Sequence, residues 1–193
     1  MDTGPLQRFE AWYAEANRHP EIKDASAMAL ATADLEGRPG VRMVLLKQHD
    51  ERGLVFFTNL TSPKARDLAQ NARAALCFYW APLGRQLRIE GRVSPVGEAE
   101  AAAYFETRPR LSQLGAWASQ QSAPMAHRFA LEAAVAGVAL KYGVGKVPRP
   151  PHWSGYRLVP ECMEFWEEGA FRHHHRVLYR KTGSGWTETY LFP

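Results

Sequence analysis

The 193-residue chain can bury one sizeable core, and its 46% hydrophobic and 23% charged content is that of a globular protein rather than a disordered or fibrous one. Its apolar runs, such as residues 43–46 and 74–78, are too short to span a bilayer as helices. The net charge of +4 calls for anionic partners, but the basic residues stand as singles and pairs beside Gly, Ser, Thr and aromatics, which suits discrete anion pockets better than a nucleic-acid backbone.

The opening Met1-Asp2-Thr3-Gly4-Pro5 has neither the basic nor the apolar region of a secretory signal. Cys77 and Cys162 sit in apolar contexts and are expected as buried thiols of a reducing cytoplasm, not as a disulfide. Residues 5–17 read as a first helix, with Leu6, Phe9, Trp12 and Tyr13 at three-to-four spacing. Residues 27–33 and 42–47 read as strands around a turn at 36–40, and a second turn at 50–53 leads into a strand over 54–58. Ser62 and Pro63 have the pattern of an N-cap and first helical position, opening a helix to Asn71. Strands follow at 74–80 and 86–93, then helices at 98–107 and 123–142. The proline-rich residues 147–153 form an extended connection, and strands at 156–159, 162–166, 176–180 and 186–191 complete the chain. About eight short, mostly meandering strands with inserted helices argue for an antiparallel β-barrel of the α+β class in one domain over residues 1–193.

Several segments could carry chemistry. If residues 172–176 are extended, Arg172, His174 and Arg176 share a face about 6.5 Å apart, a cationic strip fit for a phosphate, a carboxylate or an anionic ring. A solvated edge strand explains the same pattern, and a metal site fits less well for want of acidic or thiol ligands nearby. Arg42 and Lys47 end an apolar strand with opposite parity, so they could serve two different anions or merely reach for solvent. The helix start at Ser62-Pro63-Lys64 offers free N–H groups and a charge to phosphate, although ordinary capping looks the same. Tyr104, Arg108 and Ser112 recur every four residues and, if helical, project together, but Pro109 should break that helix. Gln86 and the Gln120-Gln121-Ser122 segment could hydrogen-bond a heterocycle edge or only satisfy loop backbone. No P-loop, Gly-x-Gly-x-x-Gly, Cys-x-x-Cys or Gly-x-Ser-x-Gly motif occurs. Several anion sites without a nucleophile suit a phosphorylated cofactor that performs the chemistry itself.

These segments, in this order, resemble the pyridoxamine/pyridoxine 5′-phosphate oxidase family. The likeness rests on residues 42–47, Phe57-Thr58-Asn59-Leu60, Gln86, Tyr104-Phe105, Arg108-Pro109-Arg110, Ser112-Gln113, Gly115-Ala116-Trp117, Gln121-Ser122, Trp153-x-Gly155, Glu164-Phe165-Trp166 and Arg172-x-His174-x-Arg176. It implies a homodimeric FMN-binding split barrel with residues 150–193 as a dimerisation and substrate segment. It further implies that Arg42, Met43, Val44, Leu45, Leu46, Lys47, Phe57, Thr58 and Lys64 hold FMN from one subunit. Gln86, Gln121, Ser122, Trp166 and Arg176 would hold it from the other. Lys47, Tyr104, Arg108 and Ser112 would grip the substrate phosphate, with Arg172 and His174 over the pyridine ring. The implied reaction removes hydrogen from C4′ of pyridoxine or pyridoxamine 5′-phosphate to give pyridoxal 5′-phosphate, with dioxygen reduced to hydrogen peroxide and ammonia released from the amine.

The sequence departs from the family pattern at Pro63, where a basic residue is usual, at His173 and His175, which replace an aliphatic and an acidic residue, and at a C-terminus where Tyr190-Leu-Phe-Pro193 lacks an arginine. The alternatives are a flavoenzyme of the same fold acting on another aromatic metabolite, such as a phenazine precursor, and a non-catalytic FMN- or pyridoxal-phosphate-binding protein.

Overall fold

A computed structural model of the chain describes residues 4–193, so the expectation drawn from residues 1–3 lies outside it. Helix α1 (Pro5–Arg18) buries Phe9, Trp12 and Ala16 along one face. The Trp12 ring meets Phe165 edge-on at 5.0 Å and Phe9 lies 5.8 Å from Phe78, so the helix closes one face of the sheet. Full burial of such side chains contributes about 1.5–3 kcal/mol each. The chain then runs through β1 (Ala27–Ala33), β2 (Pro39–Leu45), β3 (Gln48–Asp50) and β4 (Gly53–Asn59) into α2 (Pro63–Gln70). After it come β5 (Arg73–Trp80), β6 (Arg85–Pro95), α3 (Glu98–Thr107), α4 (Arg110–Ala118), α5 (Ala130–Tyr142), β7 (Trp153–Glu167), β8 (His175–Thr182) and β9 (Gly185–Leu191).

All strand pairs are antiparallel, in the order β2-β1-β5-β6-β7-β4-β3 with β8 and β9 added beside β7. The α+β antiparallel expectation therefore holds. Strand β7 organises the sheet: β6 follows one of its edges, while β4 and β8 share the other, at residues 153–158 and 162–167. The Lys47 backbone N–H donates to the Val55 carbonyl at 2.9 Å and draws the end of β2 toward β4.

Five expectations about elements need correction. Residues 156–159 and 162–166 belong to one strand, because the irregularity at Pro160 is absorbed by a bulge opposite Glu90 and Gly91. Gly91 makes that possible, since a Cβ there would lie 2.0 Å from the Val159 carbonyl oxygen. Strand β2 begins at Pro39 and stops at Leu45, so strand alternation never reaches Lys47. The helix expected over 123–142 begins only at Ala130; Ser122 adopts φ 72, and Pro124 disfavours helical backbone at the residue before it. Residues 110–118 form an unforeseen helix, because Pro109 ends α3 and also starts α4, its carbonyl accepting from the N–H groups of Ser112 and Gln113 at 2.8 and 3.1 Å. Strand β3 was also unforeseen; three residues are too few to show a period.

A second apolar cluster of Phe105, Leu114, Val147 and Trp153 seats α3 and α4 at the start of β7. Buried Arg157 strengthens this end, donating to Asp50 Oδ1 at 2.9 Å and to Glu100 Oε1 at 2.5 Å. Strand β2, at the sheet's end, leaves Val41 and Met43 73% and 64% exposed. No helix of the described residues is long and apolar enough to cross a membrane.

Candidate active site

Beside β2 lies a cleft of about 400 Å³ lined by Arg42, Met43, Val44, Leu45, Lys47, Phe57, Thr58, Lys64, Tyr104, Arg108, Gln121, Ser122 and Trp153. Strands β2, β4 and β7, the N-terminus of α2, the end of α3 and the loop after α4 each contribute a wall. Four of these residues are cationic and none is acidic. Arg42 and Lys47 line the same cleft, which overturns the inference that opposite parity sends them to different places; the strand ends between them.

Each cation is held differently. Arg42 Nη1 donates to Thr32 Oγ1 at 2.7 Å and to the carbonyls of Gly40 and Leu30 at 3.2 and 3.3 Å. Thr32 in turn donates to Asp67 Oδ2 at 2.6 Å, which lies 3.8 Å from Arg42 Nη2. Lys64, only 7% exposed, donates from Nζ to Gln121 Oε1 at 3.0 Å, Thr58 Oγ1 at 3.1 Å and Ser62 Oγ at 3.2 Å. All three acceptors are neutral, so burial, and then the nearby Arg42 charge, push the Lys64 amine below the ordinary lysine range. Ser62 makes no side-chain cap; its hydroxyl serves Lys64 instead.

Arg108 stands over the Trp153 ring at 4.6 Å and the Phe105 ring at 5.6 Å, and burial lowers its pKa. Its Nη1 is buried without a hydrogen-bond partner among the described residues. An unmatched donor on a buried guanidinium costs about 1–3 kcal/mol or more, so the position calls for an anionic acceptor. Tyr104, Phe57 and Trp153 stack, with centroids 4.1 Å apart for Tyr104–Phe57 and 5.2 Å for Phe57–Trp153. The stack needs Gly155, where a Cβ would lie 2.7 Å from Phe57 Cδ1. Burial raises the Tyr104 hydroxyl pKa, only partly offset by Arg108, so the hydroxyl stays protonated.

Two residues expected on this side of the site, Leu46 and Ser112, do not line the cleft. Leu46 packs in the main core at 3% exposure, because the chain turns inward after β2. Ser112 lies in the first turn of α4, on a different helix from Tyr104, since Pro109 breaks the four-residue repeat. Gln121 and Ser122 were expected to act from the opposite subunit, yet they line this cleft with Thr58 and Lys64 of their own chain. Trp153, visible in the sequence only within the Trp153-x-Gly155 motif, is the platform under Arg108 and Phe57.

A second constellation sits elsewhere. Gln86, Trp166 and Arg176 are direct cross-strand partners on β6, β7 and β8, and the His174 ring lies 4.6 Å from Trp166. Arg172 and His174 do not share a strand face with Arg176. Residues Ala170–Arg172 form a tight 3-10 turn with Phe171 and Arg172 at φ 55 and 65, and β8 begins only at His175. Two consecutive left-handed non-glycine residues cost about 1–2 kcal/mol each. The Gly169 N–H donates to His174 Nδ1 at 3.3 Å, which leaves Nε2 to carry the ring proton. Arg172 makes no hydrogen bond or ion pair among the described residues. None of these five side chains lines the cleft described above.

Residues 15–142 match the family model described as pyridoxamine 5′-phosphate oxidase, and residues 153–193 match the pyridoxine 5′-phosphate oxidase C-terminal dimerisation region. The chain is 54% identical to the pyridoxine/pyridoxamine 5′-phosphate oxidase of Rhodospirillum rubrum, covering 100% of this chain and 98% of that protein. It is 52% identical to the enzyme of the same name from Nitrobacter winogradskyi, over 98% of this chain and 89% of the other. Among solved structures, PhzG from Burkholderia lata, in complex with tetrahydrophenazine-1-carboxylic acid, superposes with a TM-score of 0.92 at 36% identity, covering 98% of this chain and 93% of that one. A pyridoxamine 5′-phosphate oxidase-related, FMN-binding protein from Nostoc punctiforme shares the fold at a TM-score of 0.77 and 20% identity, over 100% and 99% of the two chains.

Proposed function

The chain belongs to the pyridoxamine 5′-phosphate oxidase family, and from that premise we propose that it oxidises pyridoxamine and pyridoxine 5′-phosphates to pyridoxal 5′-phosphate with FMN as cofactor. The observation that carries this reading is a cleft with four cations, no carboxylate and a buried Arg108 Nη1 without a partner. An unphosphorylated substrate would leave that charge unmatched.

The residues present fit FMN. Lys64, Arg42, Thr58, Gln121 and Ser122 supply charge-assisted and neutral donors on one wall for the FMN phosphate, and Met43, Val44, Leu45 and Phe57 supply apolar surface beside them. Lys47, Tyr104 and Arg108 hold the substrate phosphate, with Ser112 an outlying member on α4. The family's dimerisation region covers residues 153–193, and the protein is a homodimer. Its partner copy supplies Gln86, Trp166 and Arg176 to the flavin, with Arg172 and His174 over the pyridine ring. FMN, when bound, supplies the two-electron acceptor for hydrogen lost from C4′ and returns the electrons to dioxygen, giving hydrogen peroxide.

The chain's own residues position and neutralise. Arg108 and Lys47 balance the substrate phosphate, and Tyr104 donates a hydrogen bond because its hydroxyl stays protonated. With Nδ1 occupied by the Gly169 N–H, His174 offers Nε2–H as a donor to the ring substituents and cannot accept a proton at Nδ1 without breaking that bond. The amine substrate yields an imine that water hydrolyses to the aldehyde and ammonia; no protein nucleophile is needed. We further propose a cytoplasmic location, supported by Cys77 and Cys162, which are free and half-buried.

Aerobic incubation of the flavin-loaded protein with pyridoxamine 5′-phosphate tests the reading, following pyridoxal 5′-phosphate and hydrogen peroxide in equal amounts. A yellow protein that produces neither sinks it and favours oxidation of another aromatic metabolite, the reading that the likeness to PhzG supports.

A further inference from the structure

Arg176 differs from its neighbour Arg172 in being held on three sides. Its Nε donates to Glu164 Oε1 at 2.9 Å, its Nη2 forms an ion pair with the same oxygen at 2.8 Å, and its Nη1 donates to the Phe192 carbonyl at 2.9 Å. The second Glu164 oxygen, Oε2, accepts from Arg88 Nη1 at 3.1 Å. Arg88 Nη2 turns away to Glu90 Oε1 at 2.9 Å, so two guanidiniums and two carboxylates alternate. Glu164 is 7% exposed and lies on the central strand β7, directly opposite Arg88 on β6. The next outward-facing row is Gln86, Trp166 and Arg176, the side chains assigned to the flavin.

Such an arrangement supplies direction more than net charge. A guanidinium has five N–H donors; Arg176 spends Nε–H and one Nη1 hydrogen in hydrogen bonds inside its own chain, and its Nη2 is drawn to Glu164 by the ion pair. The other N–H bonds lie in a plane set by the carboxylate beside the Nε–Nη2 edge. Arg88 grips the opposite oxygen, so the carboxylate cannot rotate without breaking a second charged hydrogen bond.

We propose that Glu164 is a positioning residue for the cofactor: it fixes the guanidinium plane of Arg176 so that its uncommitted N–H bonds meet the flavin, while Arg88 locks the carboxylate from behind. The proposal rests on the contact of Arg176 with FMN proposed above. Glu164 touches neither cofactor nor substrate and acts only through Arg176.

The test is a double-mutant cycle on the FMN dissociation constant of the full-length apoprotein, read by quenching of flavin fluorescence. Glu164→Gln keeps the side chain's size and weakens FMN about tenfold, Arg176→Gln weakens it at least as much, and the double variant is no weaker than Arg176→Gln alone, because coupled residues do not add. Multiplying effects in the double variant overturn the positioning role, as does unchanged FMN binding in Glu164→Gln beside weakened binding in Arg176→Gln. Unchanged binding in Arg176→Gln removes the underlying contact, and the proposal with it. Should Glu164→Gln fail to fold, Glu164→Asp decides, since it keeps the charge but withdraws the carboxylate by one methylene. It weakens FMN while the apoprotein's unfolding midpoint stays within about 4 °C of wild type. Wild-type FMN affinity in Glu164→Asp overturns the proposal.

Discussion

The cleft and the C-terminal strip carry the same kind of chemistry, cations for anionic ligands, but they hold it in different ways. In the cleft, Lys64 is 7% exposed and bonded to three neutral acceptors, Arg42 is tied across two strands, and Arg108 is sandwiched against Trp153. In the strip, Arg172 reaches out of a turn with two left-handed residues, and its neighbour Phe171 is 93% exposed. The cleft is a preorganised half, its desolvation cost met during folding and recovered when an anion arrives. None of the strip's side chains lines the cleft of its own chain, and in the function proposed above the partner copy brings them to it.

Substitutions in the two halves therefore fail differently. The largest effect belongs to Arg108→Ala: loss of a buried charged partner costs about 2–5 kcal/mol, so kcat/KM for pyridoxamine 5′-phosphate falls by about 100-fold or more. Flavin content stays at wild-type level; protein isolated colourless would move Arg108 from the substrate phosphate to FMN. Lys64→Met comes next, removing hydrogen bonds from a charged group worth about 1.5–3 kcal/mol and weakening FMN about 10- to 100-fold in equilibrium titration. Arg172→Ala gives the opposite pattern, with turnover down about tenfold and FMN retained, as suits a group that touches substrate alone. Flavin loss in that variant would erase the division between the halves.

The smallest effect is a pH dependence. Burial lowers the Lys64 pKa in the free protein, whereas a bound phosphate dianion favours the charged amine and raises it again. Below the depressed value both states are protonated and FMN affinity is flat. Above it, binding must take up a proton, so affinity falls as pH climbs toward the ordinary lysine value, by up to about tenfold per unit. Lys64→Met abolishes this fall if Lys64 causes it; a slope that survives the substitution belongs to another group.

Much of the fold was legible from periodicity and punctuation. Strand β1 and helix α3 match their expected limits, because Ala27–Ala33 alternates with every second side chain buried and α3 stops where Pro109 forces extended backbone on Arg108. Where one residue plays two roles, local pattern failed. Pro109 both stops α3 and starts α4, and Pro160 sits in an unbroken strand because Gly91 on the neighbouring strand yields. The same limit governed the site. Its residue types were visible one by one, but which of them share a cleft depends on where strands end.

The sequence alone determined the chemistry: cations and hydroxyls without a nucleophile, in the order that marks the oxidase family, since side-chain identity needs no coordinates. Tertiary structure decided the partnership. It put Arg42 and Lys47 in one cleft, drew Leu46 into the core, moved Gln121 and Ser122 to their own chain's side and bent Arg172 and His174 off the strand. It also placed Glu164 behind Arg176. These placements follow from where strands end, from sheet register and from burial, which no local spacing encodes.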